Sequence, residues 1–261
     1  MFEAKVEKAS FFKKIVDAVK DLIEVANVEC GDTGLSMQAM DSSHVSLVFL
    51  SISKKGFSFY RCDRARQMGI NFGSLARILK CAANDDEFTL KHQIDDATVS
   101  CLLESKVADK VSEFAMNLLE IDEERLGIPD KEYDCKVTIP SIEFQRICRD
   151  LSKFSDTVSV KCSKDGIKFS AAGDNGTCNI VLGQSSCVDK SEASVVIDSK
   201  KTVELNLALS FLTTFTKATP LSTSVVLHLH HDMPLVVEYA LEDCGHIKYY
   251  LAPKIEDDAE R

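Results

Sequence analysis

The chain has 261 residues and a formal net charge of −10, from 41 acidic and 31 basic side chains. At 45% hydrophobic it can bury one large core or two of ordinary size, and no run of about 18 apolar residues marks a membrane span. No Gly-rich phosphate loop, nucleophile elbow or basic-then-apolar leader occurs, so nucleotide hydrolysis, acyl transfer and secretion have no support.

Helical spacing runs over residues 10–23, where Phe12, Ile15, Val16, Val19, Leu22 and Ile23 fall on one side. Lys13, Lys14 and Lys20 occupy the other side, with Asp17 among them. Strand-like alternation follows at Ala26–Cys30 and Leu35–Ala39, joined by a Gly- and Asp-rich turn at Gly31–Gly34. Strands continue over Val45–Ser53 and Gly56–Arg61. A helix over Phe72–Lys80 turns Leu75, Ile78 and Leu79 inward and Arg77 and Lys80 outward. Glu87–Lys91, Ala97–Leu103 and Lys110–Leu118 read as strands. Leu118–Cys135 is acidic and broken at Gly127-Ile128-Pro129, which reads as a connecting loop. Its apolar Leu126, Ile128, Pro129 and Tyr133 predict that it rests on the body and helps form a groove.

Beyond the loop, a helix over Ser141–Lys153 buries Phe144, Ile147, Cys148 and Leu151 and points Arg146, Arg149 and Lys153 outward. A hairpin turn follows at Ser163-Lys164-Asp165-Gly166. A last helix over Leu209–Lys217 turns Leu212 and Phe215 inward and Lys217 outward. Strands close the chain at Ser224–His230, Leu235–Leu241 and Lys248–Leu251.

The two halves are copies. At a constant offset Ile15 meets Ile147, Val19 meets Leu151, Cys30 meets Cys162, Gly34 meets Gly166 and Leu50 meets Leu182. A weaker inner repeat sets Leu75 on Leu212 and Lys80 on Lys217. The expected architecture is α+β: two similar domains, residues 1–117 and 136–261, joined by a loop at 118–135. Each is a pair of helix-plus-strand units with helices packed on one side of antiparallel sheets. Pseudo-symmetry gathers the basic helix faces into one positive surface on an acidic protein. Such a surface meets phosphate without reading bases, and with no aromatics interleaved it does not favour single strands.

Other chemistry is thin. Asp41-Ser-Ser-His44 holds the residue types of a serine triad, but neighbours on one strand cannot point at each other as a triad must. His228, His230 and His231 could ligate a metal, yet no carboxylate or thiol matches them in spacing, and an exposed polar face is expected instead, with no metal and no cofactor. The ten cysteines are scattered without a Cys-x-x-Cys pair, which favours reduced thiols in a cytosolic or nuclear protein. Nothing indicates an enzyme.

Long segments resemble the eukaryotic DNA sliding-clamp family over essentially the whole chain. They include Met40-Asp-Ser-Ser-His-Val-Ser-Leu-Val48, Tyr60-Arg-Cys-Asp-Arg64, Leu126-Gly-Ile-Pro129, Arg146-Ile-Cys-Arg-Asp-Leu151 and Asp232-Met-Pro-Leu-Val-Val-Glu-Tyr239. Gly245–Asp257 completes the set. The resemblance implies a nuclear homotrimer closed head-to-tail around duplex DNA, with helices on the inner face and sheets outside. Lys13, Lys14, Lys20, Arg77, Lys80, Lys110, Arg146, Arg149, Lys153 and Lys217 would then face the DNA backbone. Lys110, Glu113, Phe114 and Cys178 would lie at the trimer seam, on edge strands near Lys110–Asn117 and Asn175–Gly183. Met40, His44, Leu47, Leu126, Ile128, Tyr133, Pro234, Tyr250, Ala252 and Pro253 would form a groove for peptides of the form Gln-x-x-(Leu/Ile/Met)-x-x-aromatic-aromatic. Polymerases, ligase, nuclease and the clamp loader are the implied partners, and Lys164 the implied site of ubiquitin-like conjugation. Ser210 stands where relatives commonly carry a base, and Phe114 where they often carry Tyr. A subunit of a heterotrimeric clamp and a scaffold that never meets DNA are the competing readings.

Overall fold

The computed structural model describes residues 1–107, 109–122, 126–127, 132–174, 176–184 and 194–254. Chain contacts divide it into one unit of Met1–Gly127 with Ala240–Ile247, and a second of Ile128–Tyr239 with Lys248–Arg261.

The first unit runs β1 (Phe2–Val6), α1 (Ala9–Val19), β2 (Val25–Cys30), β3 (Gly34–Met40), β4 (Ser46–Ser53), β5 (Phe59–Cys62), β6 (Arg66–Asn71), α2 (Phe72–Lys80), β7 (Glu87–His92), β8 (Thr98–Ser105) and β9 (Lys110–Asn117). Its strands lie in the orders β5-β1-β7-β8-β9 and β6-β2-β3-β4, with antiparallel pairing. The second unit repeats the plan with β10 (Cys135–Pro140), α3 (Ser141–Leu151), β11 (Thr157–Ser163), β12 (Gly166–Gly173), β13 (Gly176–Leu182), β14 (Val196–Ser199), β15 (Val203–Ala208), α4 (Leu209–Phe215), β16 (Ser224–Leu229) and β17 (Leu235–Ala240). Its orders are β14-β10-β16-β17 and β15-β11-β12-β13, the same topology less one strand of the first sheet. A last strand, β18 (Gly245–Leu251), begins in the first unit and ends in the second. No described helix is long and apolar enough to cross a membrane.

The period of the apolar residues explains the packing. In α1, Phe12, Ile15, Val16 and Val19 are buried, and Phe12 lies 5.2 Å from Phe88 of β7. In α3, Phe144, Ile147, Cys148 and Leu151 are buried. Phe215 of α4 stacks on Tyr249 at 4.5 Å. Backbone crowding forces glycine at several positions, Gly34 and Gly69 among them. Gly34 has φ +145° at the hairpin exit, and a Cβ there would sit 2.0 Å from the Ile52 carbonyl oxygen. At Gly69 a Cβ would lie 2.0 Å from the Leu119 carbonyl, where the chain leaving β9 bridges to β6.

Several boundaries differ from the periodicity. The first helix stops at Val19 rather than residue 23, because Leu22 and Ile23 donate back to Val19 in a tight turn from which Ile23 is still buried. The last helix stops at Phe215, and Thr216–Leu221 winds into a 3-10 helix. There the Thr216 hydroxyl bonds the Thr213 carbonyl, and Pro220 has no N–H to extend an α-helix. Lys54–Gly56 is a 3-10 turn, so the strand expected from Gly56 begins at Phe59.

Candidate nucleic-acid and partner interfaces

The predicted bases emerge from the polar sides of the helices. Lys14, Arg77, Lys80, Arg146, Arg149, Lys153 and Lys217 are exposed, while Lys13 and Lys20 are half-buried. Lys13 also serves the fold. Its ammonium bonds the Ala82 carbonyl and reaches Asn84 Oδ1 at 3.4 Å, tying α1 to the chain just beyond the C-terminus of α2. A cation is favoured there by the carbonyls of the last turn. Lys20 pairs with Asp17, and Arg77 donates to the Ser74 hydroxyl at 2.9 Å. On α3 and in the turn just beyond it, the bases gather around one acid. Asp150 lies 3.3 Å from Lys153, 3.6 Å from Arg149 and 3.8 Å from Arg146. The Lys153 hydrogen bond leads the effects that hold its carboxyl below the usual range. A count of bases alone misses this acid, whereas i,i+3 and i,i+4 spacing identifies it. Lys217 stands on the 3-10 segment rather than on α4, and Lys110 is exposed on β9.

β9 and β13 each end a sheet. Val111 on β9 is 62% exposed and Val181 on β13 is 64% exposed, apolar side chains beside unpaired backbone. Phe114 and Cys178 are half-buried, opposite Cys101 and Ala171 respectively. Glu113 accepts the Ser100 hydroxyl at 2.7 Å. Lys164 is exposed at the tip of the β11–β12 hairpin.

The first unit carries a cavity of about 440 Å³ lined by Gln38, Ala39, Met40, Asp41, Ser42, His44, Leu47, Asp122 and Leu126. Buried Asp41 organises its rim. The carboxylate accepts from the amides of Ser43 (2.8 Å), Val45 (2.9 Å) and Ser46, and from both serine hydroxyls. Burial alone would raise its pKa, but these hydrogen bonds, the Ser43 hydroxyl foremost, hold it below the usual range. The closed loop keeps His44 in the left-handed region at φ +57° and leaves its side chain exposed. Gln38 donates to the Leu126 carbonyl at 2.8 Å, fastening the connecting segment beside β3. So the structure brings Met40, His44, Leu47 and Leu126 together, whereas Ile128 lies outside the described residues. In the second unit, the half-buried Tyr133 ring rests 5.4 Å from His228, which lies 2.9 Å from Glu238. Burial first, then neighbouring Tyr133 and Glu238, push the Tyr250 phenol up to about 12. Pro234 and Ala252 are exposed, and Pro253 is half-buried.

One grouping is not visible in the sequence spacing. Asp134, at the entry to β10, meets His230 and His231 in the turn after β16. Its Oδ2 lies 3.5 Å from His230 Nε2 and 3.4 Å from His231 Nδ1. The carboxylate absent from the histidine pattern is supplied from about a hundred residues earlier, by a strand pairing that sets Cys135 opposite Leu229.

The match to known families follows the duplication. The model for the N-terminal domain of proliferating cell nuclear antigen matches residues 1–125, and that for its C-terminal domain matches residues 127–254. With duplicated antiparallel sheets, paired helices and outward bases already in view, these matches place the chain in the proliferating cell nuclear antigen family of DNA sliding clamps.

Proposed function

We propose that the chain assembles head-to-tail as a homotrimer around duplex DNA, holds polymerases on their template, and docks replication and repair proteins in the nucleus. The observation that carries this reading is the repeated basic helix face on a chain of net charge −10. An acidic body repels DNA everywhere except at such a surface, and Lys and Arg on helices meet phosphates in any register. Binding of this kind is weak and salt-sensitive, so enclosure rather than affinity would retain the protein. The chain has no nucleotide loop, so opening falls to a separate ATP-driven loader. Exposed edges β9 and β13 support the seam, with Lys110, Glu113, Phe114 and Cys178 at or near it. Different edges meeting head-to-tail form a heterologous contact that closes when the rotation allows.

The deciding experiment reverses charge on α3 and the turn after it. Arg146→Glu, Arg149→Glu and Lys153→Glu together should abolish loading onto nicked circular duplex and polymerase stimulation, with native mass unchanged. A variant that loads and stimulates like the parent would refute the DNA role and leave the scaffold reading.

The cavity beside Leu126 suits one apolar anchor of a short helical-turn peptide. We infer that the partner motif Gln-x-x-(Leu/Ile/Met)-x-x-aromatic-aromatic docks there through Met40, His44, Leu47, Leu126 and Ile128. Tyr133, Pro234, Tyr250, Ala252 and Pro253 are proposed as further contacts, and Lys164 as the acceptor of ubiquitin-like conjugation.

A further inference from the structure

We propose that Asp134, His230 and His231 form a binding site for a zinc-class divalent cation. The three residues offer one ligand atom each, all within 4.8 Å of one another. Metal–ligand bonds of 2.0–2.2 Å with tetrahedral angles separate neighbouring ligand atoms by about 3.3–3.6 Å. The Asp134 contacts at 3.5 and 3.4 Å have that length. They are also long for charge-assisted hydrogen bonds, which run at about 2.7–2.9 Å.

The Asp134 and His231 surroundings argue the same way. Asp134 is only 8% exposed, and its Oδ2 is buried without a hydrogen bond. A buried carboxylate oxygen left unpaired is costly. On the far side of the His231 ring, Nε2 lies 3.0 Å from an Asp232 carboxylate oxygen. A neutral ring with its proton on Nε2, beside that carboxylate, leaves the Nδ1 lone pair on the Asp134 side. Two acceptors then face each other, and a cation between them satisfies both. The Asp232–His231 pair is also the outer-shell arrangement that orients metal-bound histidines.

His230 completes the set at a cost. Its Nδ1 now accepts the Asp232 amide at 3.0 Å, which puts its proton on Nε2, 3.5 Å from Asp134 Oδ2, whereas a ring bound through Nε2 carries its proton on Nδ1. Loading therefore releases that amide, a movement within an exposed turn. Lys201 stays 3.5 Å from the other Asp134 oxygen and tempers the affinity. Lone pairs from two imidazoles and one carboxylate, with a fourth position for water, favour zinc over magnesium or calcium, which prefer oxygen.

The test is a zinc titration of the full chain by calorimetry at pH 7.5, beside His231→Ala, His230→Gln and Asp232→Asn. The parent should bind one zinc more than His231→Ala, whose exposed position leaves folding intact. His230→Gln should weaken that site at least tenfold, and Asp232→Asn about tenfold, the loss usual for an outer-shell partner. The imidazole resonances of His230 and His231 should move with zinc and remain unmoved by magnesium. Ten cysteines also bind zinc, so stoichiometry and affinity unchanged in the histidine variants would overturn the site. So would histidine resonances that ignore zinc.

Discussion

Replacing Asp41 by alanine isolates how the loop beside the cavity is held. One carboxylate takes hydrogen bonds from three amides and two hydroxyls. Ser43 is exposed and Val45 half-buried, so their amides can turn to water at little cost. Ser46 is only 1% exposed, and its amide and hydroxyl would lose their acceptor without gaining another. Each buried donor left unpaired costs about 1–3 kcal/mol, so Asp41→Ala should lower the urea-unfolding free energy by about 3 kcal/mol. The loop that holds His44 at positive φ would relax, and affinity for a motif peptide should fall at least tenfold. Asp41→Asn keeps one acceptor oxygen and should fall between. The pH dependence has a definite sign. The folded carboxyl is held below its ordinary range, so its stabilisation is present above the unfolded value of about 3.9 and is lost as pH falls through the lowered folded value. The parent should show this acid-side loss, and the asparagine variant should lack that component. A melt of Asp41→Ala within about 0.5 kcal/mol of the parent, the range of an ordinary surface change, would refute the reasoning.

Phe114→Ala should raise the monomer fraction in sedimentation at micromolar concentration, through lost aromatic burial at the proposed seam, and unchanged mass would count against that seam. Ile128→Ala and Tyr250→Ala should each weaken a motif peptide by roughly 1–3 kcal/mol in calorimetry while native mass holds. Full affinity in both would place the groove elsewhere. Lys164→Arg should remove the main conjugate seen by mass spectrometry after DNA damage, and modification confined to other lysines would dispose of that assignment.

The duplication was legible because burial repeats with the elements. Ile15 and Ile147, or Val19 and Leu151, occupy the same turns of α1 and α3 and are buried in both. Gly34 and Gly166 likewise open equivalent strands, β3 and β12. β6 escaped because Met68, Gly69 and Ile70 are all buried, which erases the alternation that announces a strand. Its glycine is set by the Leu119 backbone, a contact with no local signature. β1 does alternate, with Phe2, Ala4 and Val6 buried, but five residues at a chain start resemble many other things. Among the site residues, Met40, His44 and Leu47 are close in sequence and line one cavity. Leu126 reaches them through one side-chain amide, and Asp134 reaches the histidines through strand register, neither of which composition records.

Asp150 has a consequence for motion. It stands among Arg146, Arg149 and Lys153 as a built-in counterion, so three cations present an excess of two charges. On the proposed reading, a passing phosphate competes with this carboxylate for each cation, and whatever it gains is partly offset by the contact it displaces. The energy profile along the duplex is then shallow, with low steps between successive phosphates. A tighter basic surface would hold more firmly and travel more slowly. Asp150→Asn should therefore bind DNA more strongly at low salt and diffuse along it with a smaller coefficient: the acid acts as a lubricant.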